Sequence, residues 1–238
     1  MSKNPLGRLF LVPTPLGEDA APEVLPESTL EILRKISFFV VENEKSAWRF
    51  LSRHFDQAGL SGLSLSVLDE HTPPKEVPAL LKPALEGHDV GVISEAGCPG
   101  IADPGASLAA AAHKAGVVVC PLIGPSAILM ALMGSGFNGQ AFTFHGYLPR
   151  ERAERQKALK SLEKSVKTRG ASQIFIETPY RNRQMVEDLA ASLEPETEVV
   201  VAMNVSQGDQ IIRRCRAKEL QRYPELGAKK PAVFVLGR

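Results

Sequence analysis

The sequence is short of the residues that staple, ligate and stack. Three cysteines occur in 238 residues, Cys98, Cys120 and Cys215, with no C-x-x-C pair. An odd count at unpaired spacings argues against a disulfide framework and fits a reducing, cytoplasmic setting. The five histidines (His54, His71, His88, His113, His145) are scattered, with no H-x-x-x-H or Cys/His spacing, which argues against a zinc or other metal site. No G-x-x-x-x-G-K-[ST] phosphate loop occurs, and no G-x-S-x-G elbow of a hydrolase. Aromatic residues make up 6% of the chain, and no strand interleaves them with basic residues in the manner of a single-strand stacking platform. The opening M-S-K-N-P-L-G-R lacks the apolar core of a signal peptide. Residues 117–137 carry no charge, but Pro121, Gly124, Pro125, Gly134 and Gly136 interrupt them. They read as a buried strand, a turn and a buried helix, and no membrane span is expected.

What is present is an ordinary globular composition, 44% hydrophobic and 23% charged. The net charge of +1 hides an uneven spread. Residues 1–123 hold 10 Lys and Arg against 15 Asp and Glu; residues 124–238 hold 18 against 12. Such asymmetry marks either a second half that faces a polyanion or two solvated domains that differ.

Apolar runs alternate with amphipathic ones. Strands are expected at Arg8–Val12, Ser37–Val41, Leu63–Leu68, Val90–Ser94 and Val117–Leu122, with helices at 27–35, 43–55 and 106–115. Residues 75–86 read as helical, kinked or broken by Pro78 and Pro83. This βαβα rhythm implies a mostly parallel sheet with helices on both faces. The second half differs. Helices are expected at 126–133, 150–168 and 181–193, and strands at 141–145 and 172–177. Three more strands follow at 198–204, 210–215 and 232–236, with a short helical piece at 218–222. Consecutive strands predict hairpin pairing and a mixed sheet. The expected organisation is two α/β domains, residues 1–122 and 123–238.

Three glycine- and proline-rich turns each follow an expected strand: P-T-P-L-G (13–17), S-E-A-G-C-P-G-I-A-D-P-G (94–105) and P-L-I-G-P-S-A (121–127). Ligands of open α/β sheets bind at the carboxyl ends of strands, where glycine lets backbone approach closely. Any one such turn is ordinary strand-to-helix chemistry. Three together point to a site.

In order, L-V-P-T-P-L-G, S-E-A-G-C-P-G-I-A-D-P-G, L-I-G-P-S-A, H-G-Y-L-P and E-T-P-Y-R make the chain resemble the tetrapyrrole methylase superfamily. Within it the chain is most similar to the bacterial small-subunit ribosomal RNA cytidine 2′-O-methyltransferases, over residues 8–237. The resemblance implies a homodimer of two-domain α/β subunits with S-adenosylmethionine in an interdomain cleft. It also implies which residues bind. Pro15, Leu16 and Gly17 would touch the cofactor, and Glu95, Ala96, Gly97 and Cys98 would line its methionine end. Ser126, Ala127 and Ile176 would sit beside it, and Ala202, Met203, Pro231 and Ala232 would frame the adenine, largely through backbone. The chain also departs from the RNA enzymes. Their A-E-D-T-R stands here as V-E-N-E-K (41–45), their A-R-E-L as A-M-N-V (202–205), and their K-G-E as K-K-P (229–231).

Methyl transfer to a hydroxyl needs alignment and a base for the departing proton. The candidates are Glu42, Glu44 and Glu177, each at or just after a strand end. For Glu42 and Glu177 the bland alternative is a cap, or an ion pair with Lys45 or Arg181. The segment 150–169 holds eight basic residues against three acidic ones, and Arg213, Arg214 and Arg216 form a second cluster. These either contact RNA phosphates or form a solvated face with pairs such as Glu151–Arg155. The leading expectation is therefore a methyltransferase acting on ribosomal RNA, or on a ribosomal subunit. The alternatives are a methyltransferase of a tetrapyrrole or other small molecule, and a non-catalytic cofactor-binding paralogue.

Overall fold

The computed structural model describes residues 5–17 and 24–238. The chain divides into two compact units, residues 1–125 and 126–238.

In the first unit β1 (Arg8–Val12), β2 (Phe38–Val41), β3 (Ser64–Val67), β4 (Val90–Ile93) and β5 (Val118–Pro121) form a parallel sheet in the order β3-β2-β4-β1-β5. The connecting helices are α1 (Glu27–Leu33), α2 (Glu44–Leu51), α3 (Gln57–Ser61), α4 (Lys82–Leu85) and α5 (Gly105–Ala115). Side chains alternate along each strand, so each strand feeds two cores. Phe10, Val12, Phe39, Val41 and Ile93 pack with Leu30, Leu33, Ala47, Phe50 and Leu51 of α1 and α2. Leu9, Val40, Val90 and Val92 pack on the opposite face with Leu81, Ala84, Leu108 and Ala112, from the α4 region and α5. The neighbours β1 and β4 thus send their connections to opposite faces, and a crevice opens beyond their carboxyl ends.

The proline-broken stretch resolves into two pieces, a 3₁₀ turn at Val77–Leu81 running into α4, with a proline in the first turn of each. A missing N–H costs nothing there. The sequence did not announce α3, a five-residue turn whose cap Asp56 accepts from Gly59 N at 2.7 Å. Among the described residues no helix is long and apolar enough to cross a membrane.

In the second unit the strands are β6 (Phe142–Tyr147), β7 (Ser172–Glu177), β8 (Glu198–Met203), β9 (Ile211–Arg216) and β10 (Ala232–Gly237), in the order β6-β7-β10-β8-β9. Only β6 and β7 pair in parallel. The helices are α6 (Ala127–Ser135), α7 (Arg152–Arg169) and α8 (Asn182–Ser192). Hairpin pairing of consecutive strands holds for β8 and β9 but fails for β10, which inserts between β7 and β8. Burial explains the exchange. A-V-F-V-L-G in β10 is apolar throughout and buried along its length, as a central strand must be. I-I-R-R-C-R in β9 carries three arginines and takes the edge, where charge is tolerated and blocks further pairing. The expected helical piece at 218–222 is a 3₁₀ turn, Ala217–Arg222.

Candidate active site

The three turns come together by contacts within the first unit. Thr14 and Gly97 form an isolated antiparallel bridge, Thr14 N to Gly97 O at 2.9 Å and Gly97 N to Thr14 O at 3.1 Å. The Cys98 thiol reaches Pro125 O at 3.3 Å. Gly97 holds φ near +77°, and a Cβ there would lie 3.2 Å from the Leu16 side chain. Gly124 admits no side chain, because a Cβ would lie 2.3 Å from the Pro13 ring. The long loop is stapled by Asp103, whose carboxylate accepts from Gly100 N at 2.9 Å and from Gly105 N at 2.7 Å. Pro15, Leu16, Gly17, Glu95, Ala96, Gly97 and Cys98 therefore stand close together, as backbone and small side chains, beyond β1 and β4.

A cavity of about 130 Å³ lies at the same end of the sheet. Thr14, Pro15 and Gly17 line it from the turn after β1, and Ile93, Ser94, Glu95 and Ala96 from the end of β4. Ser46, Arg49, Phe50 and Arg53 line it from α2 and the turn that follows. The α2 residues were not singled out from the sequence. Their signal was the i, i+3, i+4, i+7 spacing, which sets them on one helical stripe. The Ser94 hydroxyl is buried and has no hydrogen-bond partner among the described residues.

Glu42 follows β2 directly, and its Oε2 accepts from Glu95 N at 3.2 Å. Burial pushes its carboxyl above the ordinary glutamate value; the Glu95 amide opposes this, and the charges of Glu95, Asp103 and Glu70 add to it. Glu42 thus makes no ion pair with Lys45 but ties the end of β2 to the loop after β4. Asn43, where the related motif has aspartate, caps α2 by accepting from Ser46 N at 3.2 Å. Glu44 is exposed in the first turn of α2. Glu177 ends β7 almost fully buried, and its Oε1 accepts from Thr178 N at 2.7 Å and from Arg181 Nη2 at 2.6 Å. It is engaged as an ion-pair anchor.

The remaining cofactor candidates lie in the second unit. Ser126 caps α6, its Oγ accepting from Leu129 N at 3.5 Å, and Ala127 is the first helical residue. Ile176, Ala202, Met203, Pro231 and Ala232 meet at one end of the mixed sheet. Ala232 pairs with Met203, Val233 pairs with both Ile176 and Ala202, and Asn204 N donates to Pro231 O at 3.0 Å. Ala202 and Met203 are fully buried in β8, between β10 and β9. Asn182 holds the K-K-P segment by donating to Lys230 O at 2.7 Å and Ala228 O at 2.9 Å.

The basic helix α7 is partly spoken for. Arg155, 1% exposed, pairs with the buried Asp188 of α8 at 2.6 Å, and Arg152 joins the same carboxylate at 2.8 Å. The expected pair of Arg155 with Glu151 is replaced by this tie. A G-x-G-x-x-G string at Gly134–Gly139, which the motif reading passed over, closes α6 and leads into β6. A dinucleotide fingerprint needs the reverse order, strand before helix.

A family described as Tetrapyrrole (Corrin/Porphyrin) Methylases matches residues 9–221. The "Ribosomal RNA small subunit methyltransferase I" of Micromonospora olivasterospora is 36% identical over 90% of this chain and 64% of its own length. The protein of the same name from Escherichia coli O157:H7 is 31% identical over 91% of this chain and 72% of its own length. The chain thus spans about two thirds of the relatives it matches. Among solved structures, the methyltransferase CobJ has a TM-score of 0.66 at 19% identity, covering 98% of this chain and 94% of that one. Uroporphyrin-III-C-methyltransferase from Thermus thermophilus has a TM-score of 0.56 at 20% identity, covering 97% and 92%. At such identities the likeness is one of fold.

Proposed function

We propose, from the premise that this chain belongs to the tetrapyrrole (corrin/porphyrin) methylase family, that it transfers a methyl group from S-adenosylmethionine to RNA, at a ribose 2′-hydroxyl of the small ribosomal subunit. The relatives named as ribosomal RNA methyltransferases support the acceptor. The observation that carries the chemistry is the half-buried Glu42 carboxylate, hydrogen-bonded to the loop after β4 where the turns converge. A homodimer in the cytoplasm completes the reading.

The residues present fit such a cofactor. The turns offer backbone and small side chains in place of bulk, and Gly97 keeps the approach between Leu16 and Pro125 open. Pro15, Leu16 and Gly17 with Glu95 to Cys98 would hold its methionine end. Ser126 and Ala127 would lie beside it at the first turn of α6, and Ile176, Ala202, Met203, Pro231 and Ala232 would frame the adenine. When bound, S-adenosylmethionine supplies an electrophilic methyl group on a positively charged sulfur.

The chain's own residues do the rest. Glu42 accepts the proton of the attacking hydroxyl, a role worth roughly 10²–10⁴-fold in rate. A carboxylate whose hold on a proton is raised by burial is a stronger base than one in water. The Glu95 amide orients it. Alignment of donor and acceptor contributes about 7 kcal/mol or more.

Calorimetric titration with S-adenosylhomocysteine, on the wild type and on Ser126→Trp, tests the cofactor. Transfer of labelled methyl into small ribosomal subunits, by the wild type and by Glu42→Gln, tests the acceptor and the base. Binding lost on filling the site, with incorporation that depends on Glu42, is the expected result. Absence of binding by the wild type overturns the reading.

A further inference from the structure

We propose that Tyr180 is a stacking platform for an unpaired base of the acceptor RNA, with the Lys229 ammonium beside its ring as the contact for that nucleotide's phosphate. This rests on the RNA reading of the function, and it names a part of the acceptor site that the cofactor residues do not supply.

The ring is presented by a locked turn. Tyr180 is the middle residue of the 3₁₀ turn Pro179–Arg181 that follows β7. Glu177, 4% exposed, closes this turn with one oxygen. Its Oε1 accepts from Thr178 N at 2.7 Å, from Arg181 Nε at 2.8 Å and from Arg181 Nη2 at 2.6 Å. Arg181 N donates to Thr178 O at 2.9 Å, and Pro179 fixes its own φ. Between these anchors Tyr180 is 80% exposed. The fold thus spends a buried ion pair on a turn whose aromatic ring it leaves in water. A tyrosine contributes to folding mainly by burying its ring, so this one serves something other than the core.

The cation is placed with equal care. Asn182, fully buried at the start of α8, donates from Nδ2 to Ala228 O at 2.9 Å and to Lys230 O at 2.7 Å, the carbonyls on either side of Lys229. The Lys230 side chain is pinned to Asp209 at 2.5 Å. Lys229 itself is exposed and has no ion pair among the described residues, and its Nζ lies 5.5 Å from the centre of the Tyr180 ring. One buried asparagine, two residues along from Tyr180, therefore holds the segment that carries the cation beside the ring.

An open aromatic face with an ammonium at hand fits a nucleotide whose base is free to stack and whose phosphate needs a counter-charge. A duplex hides the faces of its bases, so the occupant is single-stranded. The ring and the cation come from two turns far apart in the chain. No strand interleaves them, which is why the sequence shows no such platform.

The test measures binding of labelled hexaadenylate, and of a hexamer of abasic ribose phosphates with the same charge, to the full chain by fluorescence anisotropy at low salt. The proteins are the wild type, Tyr180→Phe, Tyr180→Leu and Lys229→Gln, each also titrated with S-adenosylhomocysteine. Tyr180→Phe keeps the ring and should bind hexaadenylate as the wild type does. Tyr180→Leu keeps apolar bulk without the ring and should lose at least about fivefold in affinity. It should leave the weaker binding of the abasic hexamer unchanged. Lys229→Gln should weaken both hexamers and flatten the salt slope by about 0.7. Equal affinity in wild type and Tyr180→Leu, equal affinity of the wild type for the two hexamers, or no binding of hexaadenylate by the wild type overturns the platform. Loss of self-association in Tyr180→Leu with RNA affinity intact overturns it in favour of a second copy of this chain. Failure of the wild type to bind S-adenosylhomocysteine, with the dependence on Tyr180 preserved, strikes the methyltransferase reading and spares the platform.

Discussion

Glu42 is a carboxylate with two masters: burial favours its neutral form, and the Glu95 amide favours its charge. Burial wins, so the acid limb of methyl transfer is displaced upward from the ordinary glutamate range. Glu42→Gln lowers turnover by about 10²-fold or more while leaving S-adenosylhomocysteine affinity unchanged, read from single-turnover rates and calorimetry. The same shift sets a sign for stability. The folded state holds this proton more tightly than the unfolded state does. The contribution of Glu42 is therefore fully present below the unfolded value and lost as pH rises through the raised one. Glu42→Gln should accordingly raise the melting temperature at pH 7 and have little effect below pH 4, by calorimetry across that range. Glu177 makes the contrast. Its carboxylate compensates Arg181 in a buried setting, so Glu177→Gln costs about 1–3 kcal/mol in urea unfolding. Both glutamates were legible as strand-end carboxylates. Their different fates were not, because an amide 53 residues away decides one and an arginine four residues away the other.

Elements were read well where period and punctuation agree. β7 falls where the apolar run lies, and α2 starts at its cap. They were read poorly where the outcome depends on neighbours. Nothing in A-V-F-V-L-G says that it will enter between β7 and β8, although its uniform burial there is the reason it can. The charge of α7 was legible; its use was not. Arg155 points inward because Asp188 is fully buried on α8, where Arg152 reaches the same carboxylate from the surface. Breaking a buried pair leaves an uncompensated charge, so Asp188→Asn should cost about 3–5 kcal/mol, measured by urea unfolding. Helix against helix is thus held by a salt bridge that composition alone assigned to solvent or RNA. The turn at 121–125 carries the opposite kind of constraint. Gly124→Ala places a methyl into the Pro13 ring, and overpacking of this kind costs about 1–3 kcal/mol. Because it pushes the turns apart, it should weaken S-adenosylhomocysteine binding more than a surface change of equal stability cost.

Across the whole molecule the two units carry opposite charge, and pairing within the structure decides how much of the basic half can face a polyanion. Of the cations on α7, Arg152 and Arg155 are spent on Asp188, Lys157 lies by Glu154, and Lys167 reaches Glu194 at 2.5 Å. Lys160 and Lys164 are exposed, one helical turn apart, and without an ion pair among the described residues. If this face meets RNA phosphates, these two lysines carry the meeting together with Arg169, also exposed and without an ion pair among the described residues, and the effect must appear as counterion release. For single-stranded RNA each phosphate contact contributes about 0.7 to the slope of log affinity against log salt. Lys160→Gln/Lys164→Gln should flatten that slope by about 1.4 and weaken binding most at low salt, while leaving S-adenosylhomocysteine affinity unchanged. Filter binding of small-subunit RNA between 50 and 200 mM salt, about the range over which such contacts are lost, measures it. An unchanged slope would assign the basic excess of this helix to solvation.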